Sequence, residues 1–203
     1  MFRNPDFRML AGARVHRMME TVSRELLRDP VFKNGVAAIQ AQRAARPAFR
    51  HLWDAEVSVY SQWGEDGILD FLCDSLDLNR PKIIELGCGD FRECNSRFLA
   101  EYRSAGVTMV DGRKDLVASV RALPASIRTT LDPRQEWITP DTVGHLMASA
   151  RNLHGRLDIV SLDIDGNDYW VAERMDLSGV SVVVVEYQPI FGPDAGCDRP
   201  PRG

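Results

Sequence analysis

Two hydrophobic periods alternate along this chain. Over residues 5–28, Met9, Leu10, Val15, Met18, Met19, Val22, Leu26 and Leu27 recur at helical spacing with arginines between them. Asp29-Pro30 ends that pattern, because the residue before a proline is pushed out of the α region. A second helix is expected from Val31 to about Arg46, stopping before Pro47, and a third over 64–77 with Ile68, Leu69, Phe71, Leu72 and Leu76 inward. The pattern then shortens to apolar runs at 82–86, 107–111, 157–163 and 180–186, with a weaker one at 126–130. Helical patterns at about 94–104, 114–122, 139–154 and 167–176 separate them. Strands alternating with helices predict βαβ units, hence an α/β fold with a mostly parallel sheet of about five strands. The unbroken run Val182–Val185 reads as a central strand covered on both faces.

Composition changes this picture little. The 203 residues are 44% hydrophobic and 27% charged, ordinary for a globular domain. The net charge of −4 argues against a dedicated nucleic-acid binder. The charge is uneven: +4 over residues 1–60 and −8 over the rest. A basic N-terminal segment is either a surface for an anionic lipid or phosphorylated partner, or a solvated helical face. Cys73, Cys88, Cys94 and Cys197 lack the spacing of a zinc site or disulfide framework. No apolar run has transmembrane length and the N-terminus lacks a secretory signal, so a cytoplasmic location is expected.

The candidate chemistry lies where the strands end. Open parallel sheets bind ligands at the carboxyl ends of their strands. Here those ends read Glu85-Leu86-Gly87-Cys88-Gly89-Asp90, Asp111-Gly112, Asp163-Ile164-Asp165-Gly166-Asn167-Asp168 and Glu186-Tyr187-Gln188-Pro189. Four acidic ends facing one crevice repel each other unless they bind hydroxyls, amines, a sulfonium or a metal. Gly87 and Gly89 let backbone approach a ligand, but the third glycine of the dinucleotide fingerprint is absent, which counts against NAD. Asp111, 22 residues after Gly89, stands where an acid grips ribose hydroxyls, or else starts a turn with Gly112. Asp163, Asp165 and Asn167 alternate, so an extended backbone points all three one way as hard ligands for Mg²⁺ or Ca²⁺. The same residues also suit a turn and helix cap. His16, His51, His145 and His154 read as surface or packing residues, while Trp63 and Tyr169 are better placed to touch a ligand.

Three ordered motifs carry a resemblance. Ser61-Gln62-Trp63-Gly64-Glu65-Asp66-Gly67, the segment Leu162–Trp170 (LDIDGNDYW) and Val182–Pro189 (VVVVEYQP) make the stretch from Tyr60 to Pro189 similar to the FkbM-type branch of class I S-adenosylmethionine-dependent methyltransferases. The resemblance covers about 130 residues and implies a Rossmann-like domain at 60–190, after a helical extension at 1–59 and before an irregular tail at 191–203. It implies that Glu85, Gly87 and Gly89 line the methionine part of S-adenosylmethionine, that Asp111 binds its ribose, and that Gln62 lies in a stretch closing over it. The acceptor expected is a small molecule, sugar or glycan, with Asp163 or Asp165 orienting or deprotonating its hydroxyl, with or without Mg²⁺.

The family continues after strand five with a helix and a hairpin supplying two further strands. This chain ends 14 residues after Pro189, and Gly and Pro make up six of the last thirteen residues. A truncated sheet with an open edge is therefore expected, inviting a homodimer or another partner along strand five. The rival readings are a catalytically inactive relative that binds the cofactor or a protein, and a different nucleotide-using Rossmann enzyme.

Overall fold

The computed structural model describes residues 29–123 and 129–186. The helix expected over 5–28, the tail 191–203 and residues 187–189 lie outside the described residues. The strands are β1 (Lys82–Leu86), β2 (Gly106–Asp111), β3 (Leu131–Gln135), β4 (Ile159–Leu162) and β5 (Val182–Val185). They form one sheet in the order β3-β2-β1-β4-β5, with every adjacent pair parallel. Helices α1 (Pro30–Ala45), α2 (Glu65–Ser75), α3 (Arg97–Arg103), α4 (Leu116–Arg121), α5 (Val143–His154) and α6 (Asp168–Glu173) accompany it. The fold is α/β and Rossmann-like, as the alternating periods predict.

Consecutive strand residues face opposite sides, and the helices divide accordingly. Ile83, Val107, Met109 and Ile159 pack on one face against Leu69 and Cys73 of α2, Leu99 of α3 and Leu116 of α4. Ile84, Leu86, Val110 and Val160 face the other way, onto Leu146, Met147 and Ala150 of α5 and Val171 of α6. With both faces covered, the central strands read as continuous apolar runs, as buried parallel strands should.

Two strand expectations are corrected. The third strand is Leu131–Gln135, not 126–130. Pro133 disguises it, yet β3 pairs only with β2 and an edge strand tolerates a proline. Asp132 and Arg134, flanking that proline, form an ion pair. The valine strand β5 is not covered on both faces like a central strand: among the described residues it is the opposite edge of the sheet, where the expected open edge along strand five had put it. Val182 and Val184 pack on the core, whereas Val183 and Val185 are 43% and 42% exposed. A short apolar run fixes the strand but not its place in the sheet.

Helix α1 starts as the sequence implies, with Pro30 in its first turn and the Asp29 carboxylate accepting from Val31 N at 2.9 Å. It docks through Phe32 and Ile39, which share a core with Tyr60 and with Phe98 of α3. Gln42 Nε2 donates to Ala55 O at 2.7 Å and to Gly67 O at 2.9 Å, tying α1 to the start of α2. A Cβ on Gly67 would lie 2.2 Å from Ala55 O, so this crossing requires glycine. Arg43 of α1, Arg46 just after its end and Arg103 of α3 surround the fully buried Asp70. The buried charge is thereby compensated, and two arginines of the basic segment serve an internal network. Ile39→Ala is expected to destabilise the protein by about 2–5 kcal/mol, the cost of a large-to-small change in a packed core. Denaturant unfolding measures it; a loss within the roughly 0.5 kcal/mol of a surface change would show that α1 is not docked as described.

Candidate functional site

The strand order reverses between β1 and β4, so the crevice belongs at their carboxyl ends. There the backbones nearly touch. Asp163 N donates to Leu86 O at 2.9 Å, and a Cβ on Gly87 would lie 1.6 Å from Asp163 O. Gly87 also has φ +85°, so both space and conformation demand glycine. Gly89, at φ +58°, has open space where a Cβ would stand. Its N–H donates to Asp111 Oδ2 at 2.8 Å, and Arg113 N donates to Asp111 Oδ1 at 2.8 Å. Asp111 thus makes the turn that sequence reasoning allowed it and lines the crevice as well.

Glu85 is almost fully buried at the floor of the crevice, where it borders the larger cavity. Its carboxylate accepts from Asn95 N at 2.8 Å, from Ser96 N at 3.1 Å and from Ser96 Oγ. Burial pushes this carboxyl's pKa up, against hydrogen bonds that favour its charged form. The consequence reaches α3. The glycine turn does not run straight into a helix; α3 begins only at Arg97, and the residues entering it are held by a carboxylate of the protein itself.

Two adjoining cavities open above. The larger, about 750 Å³, is lined by Gln62, Trp63, Glu65, Glu85, Glu93 and Asn95 among others. The second, about 610 Å³, is lined by Gly89, Asp111, Gly112, Trp137, Ile138 and Asn167 among others. Gln62, Gly87, Asp163 and Glu186 border both. Gln62 Nε2 donates to Glu93 Oε1 at 2.6 Å, joining the segment before α2 to the loop after β1. Trp63 is 78% exposed and Trp137 80% exposed, each at a cavity wall.

The Ser61–Gly67 motif has a structural basis. Asp66 Oδ2 accepts from Val59 N, Tyr60 N, Ser61 N and Ser61 Oγ, while Asp66 N donates back to Ser61 Oγ at 3.1 Å. Gly64, at φ +100°, supplies the left-handed step before α2. This knot fixes the segment whose Gln62 and Trp63 form the wall of the larger cavity.

Asp163 and Asp165 converge, but with Glu186: one carboxylate oxygen from each lies within 4.8 Å of the others. The backbone is not extended here, since Asp165 has φ +55° and Gly166 φ +137°. Asn167 lines the second cavity from the position preceding α6, and Asp168 makes the turn, accepting from Ile164 N and Gly166 N. Partial burial, then the charge of Glu186 and a hydrogen bond with it, push the Asp163 pKa up to about 6. Three carboxylate oxygens at this separation suit a hard cation: ligands at about 2.3–2.6 Å from Ca²⁺ span it directly, and those at about 2.0–2.1 Å from Mg²⁺ require slight closure.

Sequence reasoning missed Trp137, Glu65, Glu93 and Asn95 as cavity residues, and it placed Glu186 at the crevice as one of the acidic strand ends without assigning it a role. Trp137 follows the disguised third strand, Glu65 opens α2, and Glu93 and Asn95 lie in the loop after β1, whose approach to the crevice depends on tertiary packing. Tyr169 stacks edge-on against Trp170 and does not line either cavity. His51 stacks on Trp53, His145 is exposed, and His154 contacts Thr108 Oγ1 at 3.1 Å, all outside the lining. Cys73, Cys88 and Cys94 are buried free thiols. Among the described residues no helix is long and apolar enough to cross a membrane. No family model matches the chain, and neither does any curated protein or solved structure.

Asp163 holds its proton more tightly folded, near pH 6, than in the unfolded chain, near about 3.9. Its stabilising contribution is therefore full below about pH 4 and is lost as pH rises toward 6. Glu186→Gln is expected to lower the Asp163 midpoint and flatten that slope. Carboxyl carbon NMR reads the titration directly; an Asp163 midpoint near 4 in the parent protein would contradict the assignment.

Proposed function

We propose that this chain is an S-adenosylmethionine-dependent methyltransferase acting on a hydroxyl of a small molecule, sugar or glycan. The observation that carries the reading is the sign of the crevice. A pyrophosphate-binding turn offers a helix N-terminus and backbone N–H groups to an anion. Here Glu85 holds the chain entering α3, and Gly89 N is engaged by Asp111. Along the described linings, carboxylates Asp111, Asp163, Asp165, Glu93 and Glu186 outnumber Arg113, which pairs with Asp115, a setting for a cationic cofactor rather than a dinucleotide.

The residues fit that cofactor. Asp111, at the end of β2, accepts the ribose hydroxyls, and the exposed face of Trp137 with Ile138 flanks the base. The Gly87–Gly89 turn gives the close backbone approach that its methionine part requires. Gln62, bridged to Glu93, closes the opposite wall. Bound there, the cofactor supplies an electrophilic methyl group on a sulfonium. Asp163, with its raised pKa, would take the proton of the acceptor hydroxyl that receives the methyl group. Asp163, Asp165 and Glu186 would provide the ligands if Mg²⁺ is used to polarise that hydroxyl.

The rival reading, a non-catalytic module that pairs through β5 with a second copy, is favoured by the exposed Val183 and Val185. Calorimetry and a radiolabelled methyl-transfer assay separate the two. Asp111→Ala is expected to weaken S-adenosylmethionine binding by about 1–3 kcal/mol, the scale of lost charge-assisted hydrogen bonds. Equal affinity in the variant and the parent would remove Asp111 from the ribose site. Cofactor binding by a dimer without transfer to any hydroxyl acceptor would favour the module.

A further inference from the structure

Asn95 sits at the reversal of strand order, tied to both of the strands that meet there. Its backbone N–H donates to Glu85 Oε1 of β1 at 2.8 Å, and its side-chain Nδ2 donates to Ser161 Oγ of β4 at 3.1 Å. Ser161 is buried, whereas Asn95 is half-buried and lines the larger cavity. Among the described residues the bond to Ser161 is the only one its carboxamide makes, which leaves Oδ1 and the second N–H of Nδ2 to meet a ligand. Its polar neighbours in that lining are already engaged. Glu85 accepts from Asn95 N, Ser96 N and Ser96 Oγ. Ser61 Oγ donates to Asp66 Oδ2 and accepts from Asp66 N. Gln62 Nε2 donates to Glu93 Oε1.

We infer that Asn95 binds the α-amino-acid end of the cofactor, a contact that the resemblance implied for Glu85. The inference rests on the methyltransferase reading above and adds a binding residue to that site. With the ribose on Asp111 in the smaller cavity, the rest of the cofactor passes Gly87, which borders both cavities, and its amino-acid end enters the larger one. A zwitterion needs an acceptor for its ammonium and a donor for its carboxylate. A carboxamide supplies both from one side chain: Oδ1 accepts from the ammonium, and the second N–H of Nδ2 donates to the carboxylate. The bond to Ser161 fixes the plane of the amide before the ligand arrives, so less rotamer freedom is lost on binding. Glu85, holding the Asn95 backbone, and Ser161, holding its side chain, are positioning residues.

The full chain is titrated calorimetrically with S-adenosylhomocysteine and with methylthioadenosine, which keeps the nucleoside and its sulfur but lacks the amino-acid end. The parent is expected to bind S-adenosylhomocysteine at least about tenfold more tightly, on the order of one hydrogen bond to a charged group. Asn95→Ala should remove most of that advantage and leave methylthioadenosine within about twofold of the parent, a split that general damage to the fold would not produce. Ser161→Ala keeps the carboxamide and removes only its tether. It should weaken S-adenosylhomocysteine at least about threefold with methylthioadenosine again unchanged, and it stands in if Asn95→Ala does not fold. Equal binding of the two ligands by the parent, or variants that lose both ligands alike or lose neither, would overturn the inference and leave the methyltransferase reading standing. A parent chain that binds neither ligand would overturn both.

Discussion

The site depends on one buried carboxylate. Glu85, the penultimate residue of the central strand β1, lies beneath the crevice and takes its hydrogen bonds from Asn95 and Ser96, ten and eleven residues on. That capture folds the loop 87–96 back onto the sheet, fixes where α3 begins and holds Asn95 and Glu93 on the cavity wall. It also occupies the place an anionic ligand would take. In a dinucleotide-binding turn the N–H groups at the helix end are open to an anion; here a carboxyl of the protein itself accepts from the residues entering α3. Removing the carboxylate would strand buried donors, which is costly, so the group is as much a part of the fold as of the pocket.

The remaining architecture keeps that arrangement rigid. Leu86 and Asp163 are bound to each other at the reversal of strand order, and Gly87 leaves no room for any other residue between them. On the opposite wall, the Ser61–Asp66 knot sets the backbone, and α1 buttresses it through Gln42 and the arginines around Asp70. Residues far from the crevice in sequence therefore hold Gln62 and Trp63 in place. Polar residues at strand ends then meet in one crevice because every strand runs the same way.

Much of this was legible in the chain. The change from helical to strand period near residue 82, the glycine turn and the acidic strand ends define the parallel sheet and the rim of its crevice. Where reading failed, the reason was long-range. Pro133 hid β3 because only an edge strand tolerates it, and edge or centre is a property of the whole sheet. For the same reason the valines of β5 did not reveal their place. The alternation of Asp163, Asp165 and Asn167 implied one common face, but the left-handed turn at Asp165 breaks it, and the convergence with Glu186 comes from β4 and β5 being neighbours. Glu85 was legible as an acid at a strand end; its burial and its grip on Ser96 were not, since nothing local says that a loop will fold back over it.

The central claim is that the carboxylates along the described crevice favour a cationic cofactor over a dinucleotide, and ionic strength tests it most directly. Dissociation constants for S-adenosylmethionine, S-adenosylhomocysteine and NAD should be measured on the unmodified chain across a range of salt concentrations. The account requires S-adenosylmethionine to bind at low salt and to weaken steadily as salt rises, the uncharged-sulfur analogue to depend less on salt, and NAD to bind negligibly throughout. NAD binding as tight as S-adenosylmethionine, or S-adenosylmethionine affinity that strengthens with salt, would contradict it.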